Sequence, residues 1–120
     1  MLLDSNIIIY AVQPQHALLR ATIASYPSAV SAVSMVEVLG YHRLTPAEAS
    51  LLRNFFASVQ VLPVEAAVIQ KAIALRQRRK LSLGDLLIAA TALTHNLTLM
   101  THNTVDFAQV PGLNVFDPLP

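Results

Sequence analysis

The 120-residue sequence contains no cysteine. Disulfides and thiolate zinc sites are therefore excluded, and a cytoplasmic protein is expected. Charge is scarce: charged residues make up 12% of the chain and leave a net +1. A balance so near neutral gives no global basic field for holding a polyanion. Long apolar runs are missing too. The longest clean ones, Ile7–Val12 and Leu86–Ala90, fall well short of the ~20 residues of a membrane span. The opening MLLDSN lacks the basic stretch of a secretory signal and carries Asp4 at once, so neither export nor a membrane partner is expected. Repeats, linkers and low-complexity tracts are also lacking. The length fits one domain, spanning 1–120.

What the chain has is apolar surface. Hydrophobic residues make up 54%, enough for a sizeable core and for some apolar surface to meet a partner. Short apolar strands are expected at 1–3, 29–32, 59–62, 97–101 and 113–116. Helices are expected between them: 6–12, 16–25, from a Ser34 cap to about 42, from a Thr45 cap to about 58, 64–80, and 83–94 behind a Ser82 cap. Residues 101–104, THNT, read as a turn. This alternation predicts an α/β fold with a central, mainly parallel sheet of four to five strands and helices on both faces.

Four of the seven acidic residues stand where an apolar segment starts or stops: Asp4, Glu37, Asp85 and Asp106. The other three, Glu48, Glu65 and Asp117, read as ordinary polar positions. Each of the four has a plain reading. Asp4 can cap a helix, and Asp106 can sit in a turn. Ser34–Glu37 and Ser82–Asp85 match a capping box, as Thr45–Glu48 does. Together they suggest more. Ligands of open parallel sheets bind beyond the carboxyl ends of the strands, and all four acids can share that rim. Crowded carboxylates repel one another until a hard cation such as Mg²⁺ or Mn²⁺ neutralises them. Such a cation would also turn an acidic pocket toward an anionic phosphodiester, polarise its oxygen and acidify a bound water.

The few cations are uneven. Five of the eight basic residues fall within 71–80. A helix C-terminus explains such a run through its dipole. Arg78, Arg79 and Lys80 are equally candidates to touch RNA or an acidic partner. The histidines, His16, His42, His95 and His102, show no metal-binding spacing and read as surface or packing residues. His102 alone lies inside an acidic segment.

Four segments carry a resemblance: LLDSNIIIYA at 2–11, SAVSMVEVLGY at 31–41, LSLGDLLIAATAL at 81–93 and LMTHNTVDF at 99–107. In order and separation they resemble the PIN-domain nucleases, most closely the VapC-type toxins of bacterial toxin–antitoxin pairs. The resemblance implies an endoribonuclease dependent on Mg²⁺ or Mn²⁺. Asp4 and Asp85 would be its main metal ligands, with Glu37 and Asp106 completing the acidic pocket. Ser5, Asn6, Thr101 and Asn103 would orient carboxylates, waters or phosphate oxygens. The resemblance also implies an RNA substrate, a homodimer and an antitoxin partner. Ser5 departs from the commoner threonine but keeps the hydroxyl. His102 stands where arginine is frequent, which weakens any phosphate clamp there. Rival readings are a PIN-domain RNA-processing nuclease without an antitoxin and an inactive PIN-like binding module. A phospho-acceptor domain fits poorly, because one acid follows the first strand and no lysine follows Lys80.

Overall fold

Five short strands pair in parallel throughout: β1 (Leu2–Leu3), β2 (Ala29–Ser31), β3 (Gln60–Leu62), β4 (Leu99–Met100) and β5 (Val115–Phe116). Their order is β3-β2-β1-β4-β5. The structure, a computed structural model, describes residues 1–78 and 80–120. Arg79, one of the candidate RNA contacts, lies outside the described residues. Seven helices are present among them: α1 (Ser5–Ala11), α2 (Ala17–Ala24), α3 (Ala32–Leu39), α4 (Pro46–Ser58), α5 (Ala66–Arg76), α6 (Leu83–Thr94) and α7 (Thr104–Phe107). The predicted α/β architecture and strand count agree with this.

The two-residue period of a strand builds both layers of the core. Leu2, Ala29 and Leu99 pack on one face with Val68, Ala72 and Leu75 of α5 and most of α6. Their neighbours Leu3, Val30 and Met100 face the opposite way, onto Ile7 and Ile8 of α1, Leu19, Val38, Leu52 and Phe56. A strand covered on both faces needs no polar alternation, which is why these strands read as continuous apolar runs. Helix α6 is the inner helix. Ala89, Ala90 and Ala92 are fully buried, and such small side chains let α6 lie close to α5 and to the sheet. Filling this core matters: truncating a fully buried leucine such as Leu3 to alanine costs ~2–5 kcal/mol.

Most elements are a residue or more shorter or shifted against the sequence reading, and three of the differences bear on the site. Helix α3 begins directly at the end of β2, and its cap is Ser31, whose side chain accepts the Val33 N–H at 3.1 Å. Ser34 is therefore not a cap but a buried residue inside the helix. Helix α5 ends at Arg76, so Gln77, Arg78 and Lys80 lie beyond it. Arg76 turns back to donate to the Leu81 carbonyl at 2.8 Å, which secures the connection into α6. After β4 the chain only bends at His102 where a turn over 101–104 was expected, and Thr104 already opens α7.

Strand β1 sits at the sheet's centre. From it the chain proceeds outward through β2 to β3, then returns to β4 on the other side. The crevice at the carboxyl ends of β1 and β4 is thus the topological switch point, where such sheets bind ligands.

Candidate active site

Asp4 is the first residue beyond β1, and Thr101 the first beyond β4. The Asp4 main-chain N–H donates to the Met100 carbonyl at 2.9 Å, and the Thr101 hydroxyl donates to Asp4 Oδ2 at 2.7 Å. The other oxygen, Oδ1, accepts the Ser5 N–H at 2.8 Å and so caps α1. The capping reading of Asp4 is therefore correct, and it uses only one of the two carboxylate oxygens. Asp4 is 4% exposed, and Thr101 is fully buried.

Glu37 cannot be a cap, because α3 starts at Ala32 and places it beyond the first turn. Its carboxylate reaches toward α1 instead, where the Ser5 hydroxyl lies 2.7 Å from Oε1. The same hydroxyl lies 3.0 Å from Ser34 Oγ. Gly84 lies directly against Glu37: a Cβ on Gly84 would stand 2.3 Å from Glu37 Oε2. That contact brings α3 to the first turn of α6, next to Asp85.

Ser82 caps α6 by accepting the Asp85 N–H at 3.2 Å. Comparison with α4 is instructive. There Thr45 and Glu48 exchange both bonds, 3.2 and 3.1 Å, in a complete capping box. The Asp85 carboxylate makes no such return bond among the described residues. Asp106 is in α7 and accepts the Asn103 side-chain amide at 3.0 Å. Asn103 is itself held to Thr101, its N–H donating to Oγ1 at 2.9 Å.

Electrostatics join the four acids. Burial raises the Asp4 carboxyl above its ordinary value. The bonds from Thr101 and Ser5 pull it down, and the charges of Asp85 and Glu37 raise it further. Burial also raises Asp85, against the pull of Ser82, and the charges of Glu37 and Asp106 add to the rise. Asp4, Glu37 and Asp85 thus lie within one another's field, and Asp106 joins through Asp85. Among the described residues no three His, Asp or Glu groups already close around a single point. The donors nonetheless suit a hard cation: they are all oxygens, and those on Asp4, Glu37 and Asp106 are bonded by neutral hydroxyl and amide groups. Asn6 follows Ser5 in α1, and its Oδ1 is buried with no hydrogen-bond partner.

The remaining candidates belong to the segment that joins α5 to α6. Arg78 and Lys80 are exposed beyond the end of α5. Ser34 and Gly84 were missed by sequence reasoning. A glycine in the first turn of a helix, where propensity disfavours it, was the available signal for the second. Asp117 is not an ordinary polar position either: it follows β5 directly and pairs with His102 Nδ1 at 3.1 Å.

Comparison with known proteins shows the family and the fold. The model of the PIN domain family matches residues 1–113. A ribonuclease VapC of Rickettsia bellii is 45% identical over 53 residues, 42% of this chain and 40% of that protein. The alignment therefore spans about two fifths of that relative's length. A toxin–antitoxin complex from Klebsiella pneumoniae contains a chain 29% identical to this one, with a TM-score of 0.78 over 98% of this chain and 97% of that one. VapBC2 from Rickettsia felis, bound to a fragment of promoter DNA, gives a TM-score of 0.86 at 22% identity over 96% of each chain, a likeness of fold. A family match over nearly the whole sequence, on a parallel sheet with carboxylates gathered at its switch point, makes this chain a member of the PIN domain family.

Proposed function

We propose that this protein is a divalent-metal-dependent endoribonuclease and the toxin of a toxin–antitoxin pair. The observation that carries the nuclease reading is the convergence of Asp4, Glu37 and Asp85 from three separate elements at the carboxyl end of the sheet. A helix cap needs one acid at one helix. It does not need Glu37 turned away from its own helix onto Ser5 and Gly84.

Asp4 and Asp85 would hold Mg²⁺ or Mn²⁺, with Glu37 and Asp106 completing the acidic set. Bound there, the cation supplies Lewis acidity toward a phosphate oxygen and a more acidic water. The chain's own contribution is orientation. Thr101 fixes one oxygen of Asp4, Ser5 fixes Glu37, and Asn103 fixes Asp106, each through a neutral donor that leaves the negative charge in place. Asn6, with its unpartnered buried oxygen, is the further polar group available to a cation or its water. Burial around Asp4 lowers the local dielectric, so charges act there more strongly than at an open surface.

The substrate in this reading is RNA, in keeping with the ribonuclease name of the Rickettsia bellii relative. An antitoxin partner is supported by the Klebsiella pneumoniae complex, whose likeness covers almost the whole of both chains. Exposed apolar side chains on several helices, among them Leu18, Val36, Leu51 and Ile73, leave surface for that partner and for a homodimer. No helix among the described residues is long and apolar enough to cross a membrane.

The test is incubation of purified protein with total RNA, with and without Mg²⁺ or Mn²⁺, followed by mapping of the cut ends. Discrete cuts that need the metal are expected. Intact RNA in every metal would remove the nuclease reading. Growth arrest on expression, relieved by the product of a neighbouring gene, is expected of a toxin and not of an RNA-processing nuclease.

A further inference from the structure

Three adjacent strands are each followed by a polar residue on one rim: β1 by Asp4, β4 by Thr101 and β5 by Asp117. The first two belong to the site above. Asp117 has its own pair of contacts. Its Oδ1 accepts the Leu119 N–H at 3.0 Å. The same carboxylate meets His102 Nδ1 at 3.1 and 3.2 Å. A carboxylate already receiving an N–H serves as an acceptor, so the hydrogen of the second contact belongs to Nδ1. Neutral His102 therefore carries its proton on Nδ1 and offers Nε2 as a bare acceptor.

The ring is fixed from a second side. Tyr10 of α1 meets it edge-on, with centroids 6.1 Å apart and planes at 80°. Tyr10 in turn packs against His16 at 5.4 Å. His102 stands between Thr101, which bonds Asp4, and Asn103, which bonds Asp106, yet its side chain is 44% exposed. An imidazole held at Nδ1 directs Nε2 away from Asp117. A merely packed histidine would not need its tautomer set and its ring braced while half open to solvent.

We propose that His102 is an RNA-contacting residue whose Nε2 accepts a hydrogen bond from a donor group of the bound strand, and that Asp117 is its positioning residue. This rests on the nuclease reading above. RNA offers two such donors, the ribose 2′-hydroxyl and the amino or imino N–H of an unpaired base. A phosphate oxygen is itself an acceptor and does not satisfy a bare Nε2.

The test uses randomised pools of about 20 nucleotides, longer than a typical single-strand site, made as RNA, 2′-O-methyl RNA and DNA. Their affinity is measured in Mg²⁺ for the full chain carrying Asp85→Asn, which prevents cutting. Adding His102→Leu should weaken RNA binding roughly three- to tenfold, the worth of one hydrogen bond. His102→Gln, which keeps an acceptor near the Nε2 position, should recover most of it. Asp117→Ala should weaken binding to a similar degree, yet add nothing in the His102→Leu background. Asp117→Asn, still able to accept from Nδ1, should bind as the parent does. A loss confined to RNA identifies the 2′-hydroxyl as the donor, and an equal loss with all three pools identifies a base. Unchanged RNA affinity in a His102→Leu variant that melts normally would overturn the proposal. So would an Asp117→Ala loss that persists undiminished beside His102→Leu. A His102 contribution that grows with acid and fades with salt would mark an imidazolium–phosphate contact and overturn the acceptor role. Wild type that cuts RNA while His102→Leu binds normally rejects this contact alone. Wild type that neither binds nor cuts RNA rejects the nuclease reading itself.

Discussion

At the scale of single residues, the buried carboxylates are costly without a metal. Asp4 and Asp85 are both raised above 3.8 in the folded chain, chiefly by burial. Between that value and the folded one, the native state holds a proton that the unfolded chain has released. The stability these groups contribute is therefore fully present below 3.8 and is lost as pH rises through the folded value. Near neutral pH each ionised group is a cost. Metal-free Asp4→Asn should melt at or above wild type near neutrality, with the advantage shrinking as pH falls toward 3.8. Asp4→Ala should melt lower than Asp4→Asn by about 1 kcal/mol, because only Asn keeps an oxygen for the Ser5 N–H. Thermal melts across a pH series check both, and an Asp4→Asn protein less stable at every pH would show that the charge is not a cost. Asp4, Asp85 and Asp106 stood out in the sequence because charge is rare here and they lie at or beside element ends, whereas Glu37 was placed at a helix start that the structure moves back to Ala32. Ser5, Thr101 and Asn103 were named through the resemblance alone, and which acid each would bond was not legible. Ser5 and Glu37 lie 32 residues apart, and nothing local links them.

At the scale of elements, the junction of α3 with α6 carries the sharpest prediction. Gly84→Ala removes a helix-disfavouring residue from the start of α6, a gain of up to ~1 kcal/mol. It also drives a methyl group into the Glu37 carboxylate, whose flexible end must move aside. The variant should keep or raise its melting temperature while RNA cleavage falls on the order of 10²-fold, as for a small misplacement in a catalytic site. Wild-type activity in a folded Gly84→Ala protein would remove Glu37 from the site. A second prediction concerns the segment past α5. Arg78→Ala with Lys80→Ala should weaken RNA binding and flatten its salt dependence without moving the cut positions. Affinity over a salt series, in a non-cutting background, is the measurement. An unchanged slope would leave these residues as solubilising charges. Element boundaries show where sequence reading falters. Ser31, Ser34 and Ser82 look alike as caps, but β2 runs into α3 with no loop, so the first serine caps and the second is buried. Helix α7 spans only Thr104–Phe107, too short for any periodic signal.

At the scale of the whole molecule, the order of apolar segments was enough to predict a parallel sheet covered on both faces, because buried parallel strands read as unbroken apolar runs. The strand order was not legible. Placing β1 between β2 and β4 depends on long-range pairing, such as Leu2 with both Ala29 and Leu99. That order creates the crevice holding Asp4 and Thr101. If the crevice is a metal site, Mg²⁺ or Mn²⁺ should stabilise the whole fold by mass action, by about 2.7 kcal/mol at a hundredfold excess over Kd. Glu48→Gln, in a completed capping box, should leave that response unchanged, whereas Asp4→Asn with Asp85→Asn should abolish it. A melting temperature indifferent to metal in wild type would contradict the site.

The central claim is that the gathered acids cut RNA only as a metal-loaded unit. It is tested most directly by timed cleavage of total RNA in Mn²⁺, comparing wild type, Asp85→Asn and Glu48→Gln at equal concentration, each repeated with a chelator. Discrete cuts are expected from wild type and Glu48→Gln in metal, none from Asp85→Asn, and none from any protein in chelator. Full cleavage by a folded Asp85→Asn protein, or cleavage undiminished by the chelator, would contradict it.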